Sequence, residues 1–295
     1  MINWFYLIMY KLKNTNNRLL FVLIKKGVFK MRKNKLREII KSGGTSIGAR
    51  ILTPWPGIVE VIGNAGVIDY IEFVGEYSPW DLHDLENIGR ATELFDMSSM
   101  FKVDQEPNGF LAQRALGSGF QNILFTDIRT VEDVKKCIKI VKPETPTYKG
   151  INGCHMRRNV GYVLDCGNEN YVRAMDEAVI AIMVEKKGCI ENLEEILSLK
   201  GIDMVQFGPC DYALSIGLPG QWTHPKVKEA ELKTIEVAIK MGIRPRVEIG
   251  PINYKPEDIK KYIELGVKDF HLPSDVIIIH QWIKENAKLI RSLFK

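Results

Sequence analysis

From residue 31 onward, short apolar segments alternate with longer amphipathic segments along the chain. The short segments have the length and the β-branched content of buried strands, and the longer ones repeat their apolar residues at helical spacing. We predict eight strands, at residues 45–52, 69–75, 98–103, 121–128, 177–185, 203–208, 244–250 and 267–274. Because helical segments separate these strands, the pattern indicates βαβ units and a parallel sheet.

The number of repeats favours a closed barrel over an open sheet. Eight strand–helix repeats within a chain of 295 residues are typical of a (β/α)8 TIM barrel. No GxGxxG segment follows the first predicted strand, which argues against a dinucleotide-binding sheet. We therefore predict an α/β protein with a single (β/α)8 domain at residues 31–295, which ends in a C-terminal helix.

The longer segments predict the helices between the strands. They lie at residues 33–41, 56–66, 80–94, 107–119, 130–141, 189–201, 224–242, 256–266 and 275–294. Thr130 is an N-cap residue type, and Asp133 three positions later completes a capping box. Residues 143–172 are predicted to be irregular, and a loop of that length in a barrel is usually functional or covers the mouth.

The first 30 residues do not follow this alternation. They hold two short apolar runs, WFYLIMY and LLFVLI, which Lys and Asn residues divide and which are each too short to span a bilayer. The segment also lacks the basic start and the small-residue cleavage site of a signal peptide. We predict that residues 1–30 are an extension outside the fold, with a peripheral amphipathic anchor as the alternative.

Charge narrows the range of partners. The formal net charge is +5, but Lys and Arg are scattered along the predicted helices. A nucleic-acid surface typically shows a basic cluster with interleaved aromatic residues, and the sequence has no such cluster. The composition therefore predicts no nucleic-acid partner and leaves a modest bias toward anionic small molecules.

The cysteines indicate the compartment. There are five, and no two of them form a CxxC pair, which argues against a disulfide framework and against a zinc site. We predict reduced thiols and a cytoplasmic location. Cys210 lies beside Asp211, but no histidine is close to it in sequence, so a nucleophilic role is disfavoured.

Two acidic residues follow neighbouring strands, at the carboxyl ends where barrel enzymes carry their working residues. Glu185 ends one predicted strand, and Asp211 follows the next strand in the segment FGPCDYALSIG. Two carboxylates brought together repel unless a cation or a shared proton lies between them. Mg²⁺ or Mn²⁺, with waters and a chelating substrate, would satisfy both. The alternative is that both are ordinary loop acids, paired with residues such as Lys186.

Other strand ends carry further candidates. Lys102 lies near the end of the third predicted strand, where it can supply a point charge for an oxyanion or, as the alternative, form a Schiff base. Tyr77 can donate a proton or simply shape the rim, and Glu76 is an acid–base candidate. Three residues of the irregular stretch are candidates for binding an anionic substrate tail or for replacing missing functions: His155, Arg157 and Arg158.

The segment GIDMVQFGPCDYALSIGLPGQWTHPKV resembles the metal-dependent 2-oxo-acid aldolases of the HpcH/HpaI type, which are related to the citrate lyase β-chain. Members carry a strand followed by Gly-Pro-x-Asp and then by His-Pro-x-Val. MVEKKGCIENLEEILSLKGID is similar to the strand with the metal-binding Glu and its following helix. The resemblance extends over roughly residues 31–285 and includes KLREIIKSGGTSIGARI, GVIDYIEFVGEYSPWD and RALGSGFQNILFTDIRTVEDV.

This resemblance implies a barrel of the type that binds phosphoenolpyruvate or pyruvate, and a carbon–carbon lyase that acts on a 2-oxo acid and an aldehyde. Glu185 and Asp211 would hold a divalent metal, Mg²⁺ or Mn²⁺, that chelates the 2-oxo acid and stabilises a pyruvate enolate. Backbone N–H groups would hold the substrate carboxylate in the turn formed by Gly208, Pro209, Cys210 and Asp211. The family also buries a C-terminal helix against a partner subunit, which implies a homo-oligomer, from a dimer to a hexamer.

The sequence departs from the family pattern in the residues that transfer protons. Members carry Asp-x-Glu-His after the second strand, whereas this chain reads Val-Gly-Glu-Tyr at residues 74–77, without the relay His and its Asp. Lys102 stands where members have an Arg that binds the enolate oxygen, and Met183 stands where a Gln is common. The catalytic candidates are therefore Lys102, Tyr77 and Glu76. Two alternatives stay open: a superfamily lyase for a phosphorylated or thioester substrate, and a non-catalytic barrel that binds a metabolite.

Overall fold

Eight parallel strands close into a barrel in the computed structural model, which describes residues 31–162, 167–250 and 254–294. They pair in sequence order, and the last strand pairs with the first. The predicted (β/α)8 barrel is confirmed, and every strand lies within its predicted bounds. The strands are β1 (Ser46–Ile51), β2 (Tyr70–Val74), β3 (Ser98–Lys102), β4 (Asn122–Phe125), β5 (Val179–Val184), β6 (Met204–Phe207), β7 (Arg244–Glu248) and β8 (Asp269–Ser274).

Helices follow the strands around the barrel. The first group comprises α1 (Lys35–Ser42), α2 (Pro56–Asn64), α3 (Leu82–Glu93), α4 (Asn108–Ser118), α5 (Val131–Val141) and α6 (Glu169–Asp176). The second comprises α7 (Lys187–Glu191), α8 (Leu193–Leu197), α9 (Pro209–Ser215), α10 (Pro225–Lys240), α11 (Pro256–Glu264) and α12 (Asp275–Ser292). The predicted helix at 189–201 is divided into α7 and α8, because Asn192 leaves helical geometry. The predicted capping box of Thr130 and Asp133 is present at the start of α5.

The stretch at 143–172 is more ordered than predicted. It contains a 3-10 turn at Arg158–Val160 and the start of α6, where the Asn168 side chain accepts a hydrogen bond from the backbone N–H of Tyr171. Sequence reasoning missed α6 because its buried positions are few and polar residues surround them. The expectation of reduced thiols is also wrong at Cys154, which is disulfide-bonded, whereas Cys137, Cys189 and Cys210 are free thiols. Cys166 lies outside the described residues.

Alternate residues of each strand face the two sides of the barrel wall. On β2, Ile71 and Phe73 belong to the large apolar cluster that the barrel shares with the surrounding helices. Tyr70 belongs to a smaller interior cluster with residues such as Met100 and Leu124. Fully burying such a side chain contributes roughly 1.5–3 kcal/mol, so the two clusters hold the strand ends in fixed positions.

Charged residues fill the upper part of the barrel interior. Glu72 of β2 is fully buried, and its Oε2 lies 2.5 Å from Nη2 of Arg246 on β7. Arg50 Nε lies 2.9 Å from the other carboxylate oxygen of Glu72, and Arg50 Nη1 lies 2.6 Å from Glu248 Oε2. Burial alone would raise the pKa of Glu72, but Arg246 and Arg50 outweigh it and hold that pKa well below its usual range. His271 is buried beside Glu72, and burial holds the pKa of its ring well below the usual range.

In the part of the chain that the structure describes, no helix combines the length and the apolar character that a membrane span requires. Residues 1–30 are outside that part, so the extension and the alternative of a peripheral anchor both stay predictions. The cytoplasmic location stays a prediction as well.

Candidate active site

A cavity of about 820 Å³ opens at the carboxyl ends of the strands. It extends from the barrel interior past the ends of β5, β6 and β7, and both apolar and charged residues line it. Its lining includes Arg50, Lys102, Glu185, Asp211, Arg246 and Glu248. The cavity therefore lies where (β/α)8 enzymes carry their active sites.

Glu185 follows β5 directly and is almost completely buried, with 3% of its surface exposed. Its Oε1 accepts a hydrogen bond of 2.8 Å from the backbone N–H of Asp127. Within the described residues it forms no ion pair. Burial raises the pKa of Glu185. The Asp127 N–H and the nearby Lys102 ammonium act in the opposite direction, and the charge of Asp211 adds to the rise. A cation at this carboxylate would offset the cost of burying its charge.

Asp211 lies in the first turn of α9, which begins directly after the Gly208 turn that follows β6. Its side chain is 40% exposed and lines the cavity. Its Oδ1 lies 2.9 Å from Nζ of Lys186, whose ammonium also lies 2.8 Å from Oδ1 of Asp127. The alternative of a loop acid paired with Lys186 therefore holds for Asp211 but not for Glu185.

Gly208 brings the two acidic segments together. A Cβ atom at this position would lie only 2.8 Å from both Cβ and Oε2 of Glu185, and 3.0 Å from the terminal carbon of Met183. Real Cβ atoms essentially never approach other atoms so closely. The chain after β6 can therefore pass beside the Glu185 carboxylate only because residue 208 has no side chain.

Lys102 is buried at the end of β3 and forms an ion pair with Glu76. Its ammonium lies 4.9 Å from the centre of the Tyr77 ring. Burial alone would lower the pKa of Lys102, but Glu76 and Tyr77 outweigh it and raise that pKa above its ordinary value. A Schiff base requires a neutral amine, so this environment disfavours that alternative.

The three predicted catalytic residues occupy different positions relative to the cavity. Lys102 and Tyr77 line it, and Tyr77 is 60% exposed, as expected for a rim residue. Glu76 is outside the lining, and its carboxylate holds the Lys102 ammonium. The Lys102 ammonium is close enough to Glu185 for that carboxylate to contribute to its raised pKa.

The donor set at this cavity fits a hard divalent cation. Glu185 supplies a buried carboxylate that forms no ion pair within the described chain, although the ammonium groups of Lys102 and Lys186 lie near enough to interact with it. Asp211 supplies a second carboxylate on the neighbouring segment. Among the residues that the structure describes, no group of three or more His, Cys, Asp or Glu side chains forms a ready metal cluster. Mg²⁺ is commonly held by one or two carboxylates, with water or substrate oxygens in the other positions.

The candidates in the long loop lie elsewhere. His155 contacts Asn159 and the hydroxyl of Tyr171, and Arg157 donates to the backbone carbonyl of Gln113. Arg158 pairs with Glu93 at 2.5 Å on the outer face of the barrel. None of the three lines the cavity. They attach the loop to the helices, so the hypothesis that they grip a substrate is not supported.

Sequence reasoning missed several charged residues that line the cavity or lie beside it. Asp127 contacts both Glu185 and Lys186, and it adopts a left-handed backbone conformation with φ of 59°. Its position directly after β4 was the available signal, because polar residues at strand ends are candidates. Arg246 and Arg50 lie on alternate, inward-facing positions of predicted strands, and their charges were the signal there.

The fold and the cavity together define a class: a (β/α)8 barrel enzyme with acidic residues at the carboxyl ends of its strands. A model of the HpcH/HpaI aldolase/citrate lyase family matches residues 78–249, which is more than half of the chain. The chain belongs to this family, and the predicted membership is confirmed.

Known relatives carry aldolase names. A hydroxypyruvate/pyruvate aldolase from Roseobacter denitrificans is 28% identical over 213 residues, which are 69% of this chain and 77% of the relative. A 5-keto-4-deoxy-D-glucarate aldolase from Klebsiella pneumoniae is 26% identical over 244 residues, covering 82% of this chain and 91% of the relative. Aldolases are carbon–carbon lyases, so the predicted enzyme class is confirmed.

Solved structures agree on the fold. The crystal structure of an HpcH/HpaI aldolase from Desulfitobacterium hafniense superimposes with a TM-score of 0.78 at 21% identity. The match covers 88% of this chain and 97% of that chain. At this identity the similarity supports the barrel alone.

Proposed function

We propose that the chain makes or breaks a carbon–carbon bond to a 2-oxo acid such as pyruvate in this cavity. The observation that carries the proposal is the Glu185 carboxylate. It is buried with no ion-pair partner in the described chain, and it lines the same cavity as Asp211 in a barrel from an aldolase family. A buried carboxylate with a raised pKa is costly to stability, which makes a functional role the better explanation.

Glu185 and Asp211 would hold a divalent ion, Mg²⁺ or Mn²⁺, whose chemistry is to stabilise negative charge on an oxygen of the 2-oxo acid. The residues around it would orient the substrate. The backbone N–H groups of Cys210 and Asp211 lie in the first turn of α9, where they have no partner within the helix and can donate hydrogen bonds to a carboxylate. Gly208 and Pro209 form the turn that would direct these two N–H groups toward the substrate in the cavity.

Lys102 would bind the oxygen on which charge develops when the bond breaks. Its ammonium stays protonated because Glu76 raises its pKa, so it supplies a fixed positive charge at the cavity wall. Glu76 does not line the cavity, and its ion pair with Lys102 would hold the ammonium in position on the side away from the substrate. Tyr77 would close the rim over Lys102 and can donate a hydrogen bond to the substrate.

The experiment is exchange of the C3 protons of pyruvate with deuterium, followed by NMR in the presence of Mn²⁺ at low concentration or of Mg²⁺. Exchange reports proton removal next to the ketone without requiring the unknown aldehyde partner. We expect exchange that depends on added metal and is lost in Asp211→Asn. Asp104→Asn, at an exposed acid after β3, is the matched control and should retain exchange.

Absence of exchange and of pyruvate binding in the wild-type protein would contradict this proposal. In that case the alternative with a phosphorylated or thioester substrate would be the one to test next.

We also propose that the chain forms a homo-oligomer through α12. Only Asp275 of this helix is buried, and apolar side chains remain exposed along its whole length. A helix of 18 residues with so much exposed apolar surface is typical of a partner interface. The oligomer size is not part of the proposal.

A further inference from the structure

Lys186 joins Asp211, an acidic residue of the cavity, to Asp127, an acidic residue outside the cavity lining. It follows Glu185 directly, and its Nζ lies 2.8 Å from Asp127 Oδ1 and 2.9 Å from Asp211 Oδ1. Its side chain is only 17% exposed. Lys186 and Asp127 are both outside the cavity lining, so they contact Asp211 from beside the cavity.

The residues of this bridge come from three consecutive strand ends. Asp127 follows β4, Lys186 follows β5, and Asp211 follows β6. Asp127 also donates its backbone N–H to Glu185, so one residue contacts a candidate metal ligand and the lysine that contacts the other ligand. The bridge therefore fixes both carboxylates of the proposed site.

An ammonium on Asp211 affects any second cation that binds the same carboxylate. The contact uses Oδ1, which leaves Oδ2 for a cation in the cavity. Two cations that share one carboxylate repel each other at short range. By thermodynamic reciprocity, a divalent ion on Asp211 weakens the contact between Lys186 and Asp211 by the same free energy by which Lys186 weakens binding of the ion.

Asp127 offers the Lys186 ammonium a second carboxylate partner when a divalent ion binds Asp211. Because Asp127 already accepts from Lys186, the ammonium can shift its contact to this carboxylate without being left buried and unpaired. Without Asp127, Lys186 would have Asp211 as its remaining carboxylate partner among the ion pairs of the described chain, and a divalent ion would have to displace it.

We propose that Lys186 lowers the affinity of the cavity for a divalent cation, because its ammonium and the cation share the Asp211 carboxylate. Asp127 holds the Lys186 ammonium when the cation binds Asp211, and in this way it permits binding. The inference rests on the proposed function, because it concerns the same two carboxylates. In such a site the metal is exchangeable, and two residues outside the cavity lining, Lys186 and Asp127, control its affinity.

The test is Mn²⁺ binding by the full chain without substrate, measured from the EPR signal of free Mn²⁺. Lys186→Met removes the competing charge, and we expect it to bind Mn²⁺ on the order of tenfold more tightly than the wild-type protein. Lys187→Met is the matched control: it removes the same charge one residue away, from a side chain that is 62% exposed and pairs with Glu191. It should change the affinity by less than about twofold. Thermal unfolding of each variant verifies that it is folded.

Asp127→Asn gives the second arm. We expect it to weaken Mn²⁺ binding, and we expect the weakening to be smaller in the Lys186→Met background, where no ammonium remains to be held. An equal loss in both backgrounds would contradict the role of Asp127 as an anchor.

Unchanged or weaker Mn²⁺ binding in Lys186→Met, relative to Lys187→Met, would overturn the inference and leave Lys186 as a structural support for Asp211. This result differs from failure of the proposed function. If neither the wild-type protein nor Lys186→Met binds Mn²⁺, or if Glu185→Gln binds it as well as wild type, the metal site itself is wrong.

Discussion

At the scale of single residues, the site depends on the absence of one side chain. Gly208 lies where the Glu185 carboxylate packs against the chain after β6, and a Cβ atom there would meet both Glu185 and Met183 at 3.0 Å or less. Glu185 is buried and held by the Asp127 N–H, so it has little room to move away. The glycine is required for close approach of two segments and not for a special backbone angle.

Gly208→Ala should therefore displace Glu185 and weaken Mn²⁺ binding, by on the order of tenfold or more if one of two carboxylate ligands is misplaced. Isothermal titration with Mn²⁺ measures the effect. The control is Gly109→Ala near the start of α4, where a new Cβ meets Ile140 at an ordinary distance of 3.6 Å. Equal Mn²⁺ affinities in the two variants would show that Glu185 does not contribute to the site.

Lys102→Ala tests the oxyanion role. We expect pyruvate proton exchange to fall by roughly 10²–10³-fold, the usual loss when one donor to a developing oxyanion is removed. Mn²⁺ binding should not weaken, because a positive charge near Glu185 is removed. Lys102→Arg keeps the charge and is the matched comparison. Parallel losses of exchange and Mn²⁺ affinity in Lys102→Ala would argue for a structural role.

At the scale of elements, β2 and β7 face each other across the barrel through buried charges. Glu72 and Arg246 are both completely buried, and Arg50 of β1 joins them to Glu248 at the cavity surface. Such a network is expensive to desolvate and strongly destabilising when only one partner is removed. It supports the base of the cavity, because Arg246 and Arg50 also line it.

Arg246→Met should lower the free energy of unfolding by about 3–5 kcal/mol. The substitution removes one of the two arginines that offset the cost of burying the Glu72 charge. Urea denaturation gives this free energy. Lys240→Met, at the exposed end of α10, is the control and should change it by less than about 0.5 kcal/mol. Adding Glu72→Leu to Arg246→Met should recover part of the loss. If Arg246→Met has the same free energy of unfolding as Lys240→Met, the ion pair between Arg246 and Glu72 does not contribute to stability.

The elements were predictable from the sequence because their periodicity is strong. Short apolar segments that alternate with longer amphipathic segments predicted all eight strands, and β5, with the sequence VIAIMV, is a clear example. The position of a residue after a strand was enough to propose Glu185 and Asp211. Helix α6 was missed, because a single short amphipathic segment within a polar stretch resembles a loop.

Contacts between distant residues were not predictable in the same way. The pairing of Glu72 with Arg246 joins strands that are far apart in sequence, and it appears only when the barrel closes. Asp127 resembles the neighbouring Asp133, which serves a helix cap, and only the structure shows that Asp127 holds Glu185 and Lys186. Spacing alone likewise did not reveal the disulfide of Cys154.

At the scale of the whole molecule, the barrel leaves a long run of apolar side chains exposed on α12. Ile279, Trp282 and Ile283 are each more than half exposed, and Leu289 and Ile290 continue the apolar surface toward the C-terminus. Burying such side chains contributes roughly 1.5–3 kcal/mol each, so a second copy of the chain would gain considerably by covering them. We expect the protein in solution to be an oligomer.

Ile283→Glu should shift the protein toward smaller species, because it places a charge in the proposed interface. Light scattering coupled to size-exclusion chromatography measures the mass. Lys288→Gln, at another exposed position of α12, changes the charge by the same amount and should leave the mass unchanged. A wild-type protein that is monomeric over a broad concentration range would contradict the proposal.

The claim that two carboxylates bind one divalent ion is tested most directly by X-ray diffraction. Crystals soaked with Mn²⁺ and pyruvate, measured at the manganese absorption edge, would show the ion by its anomalous signal. We expect a single peak in the cavity, within coordination distance of carboxylate oxygens of both Glu185 and Asp211, with pyruvate oxygens beside it. A peak that contacts neither residue, or a cavity without a peak at saturating Mn²⁺, would contradict this claim.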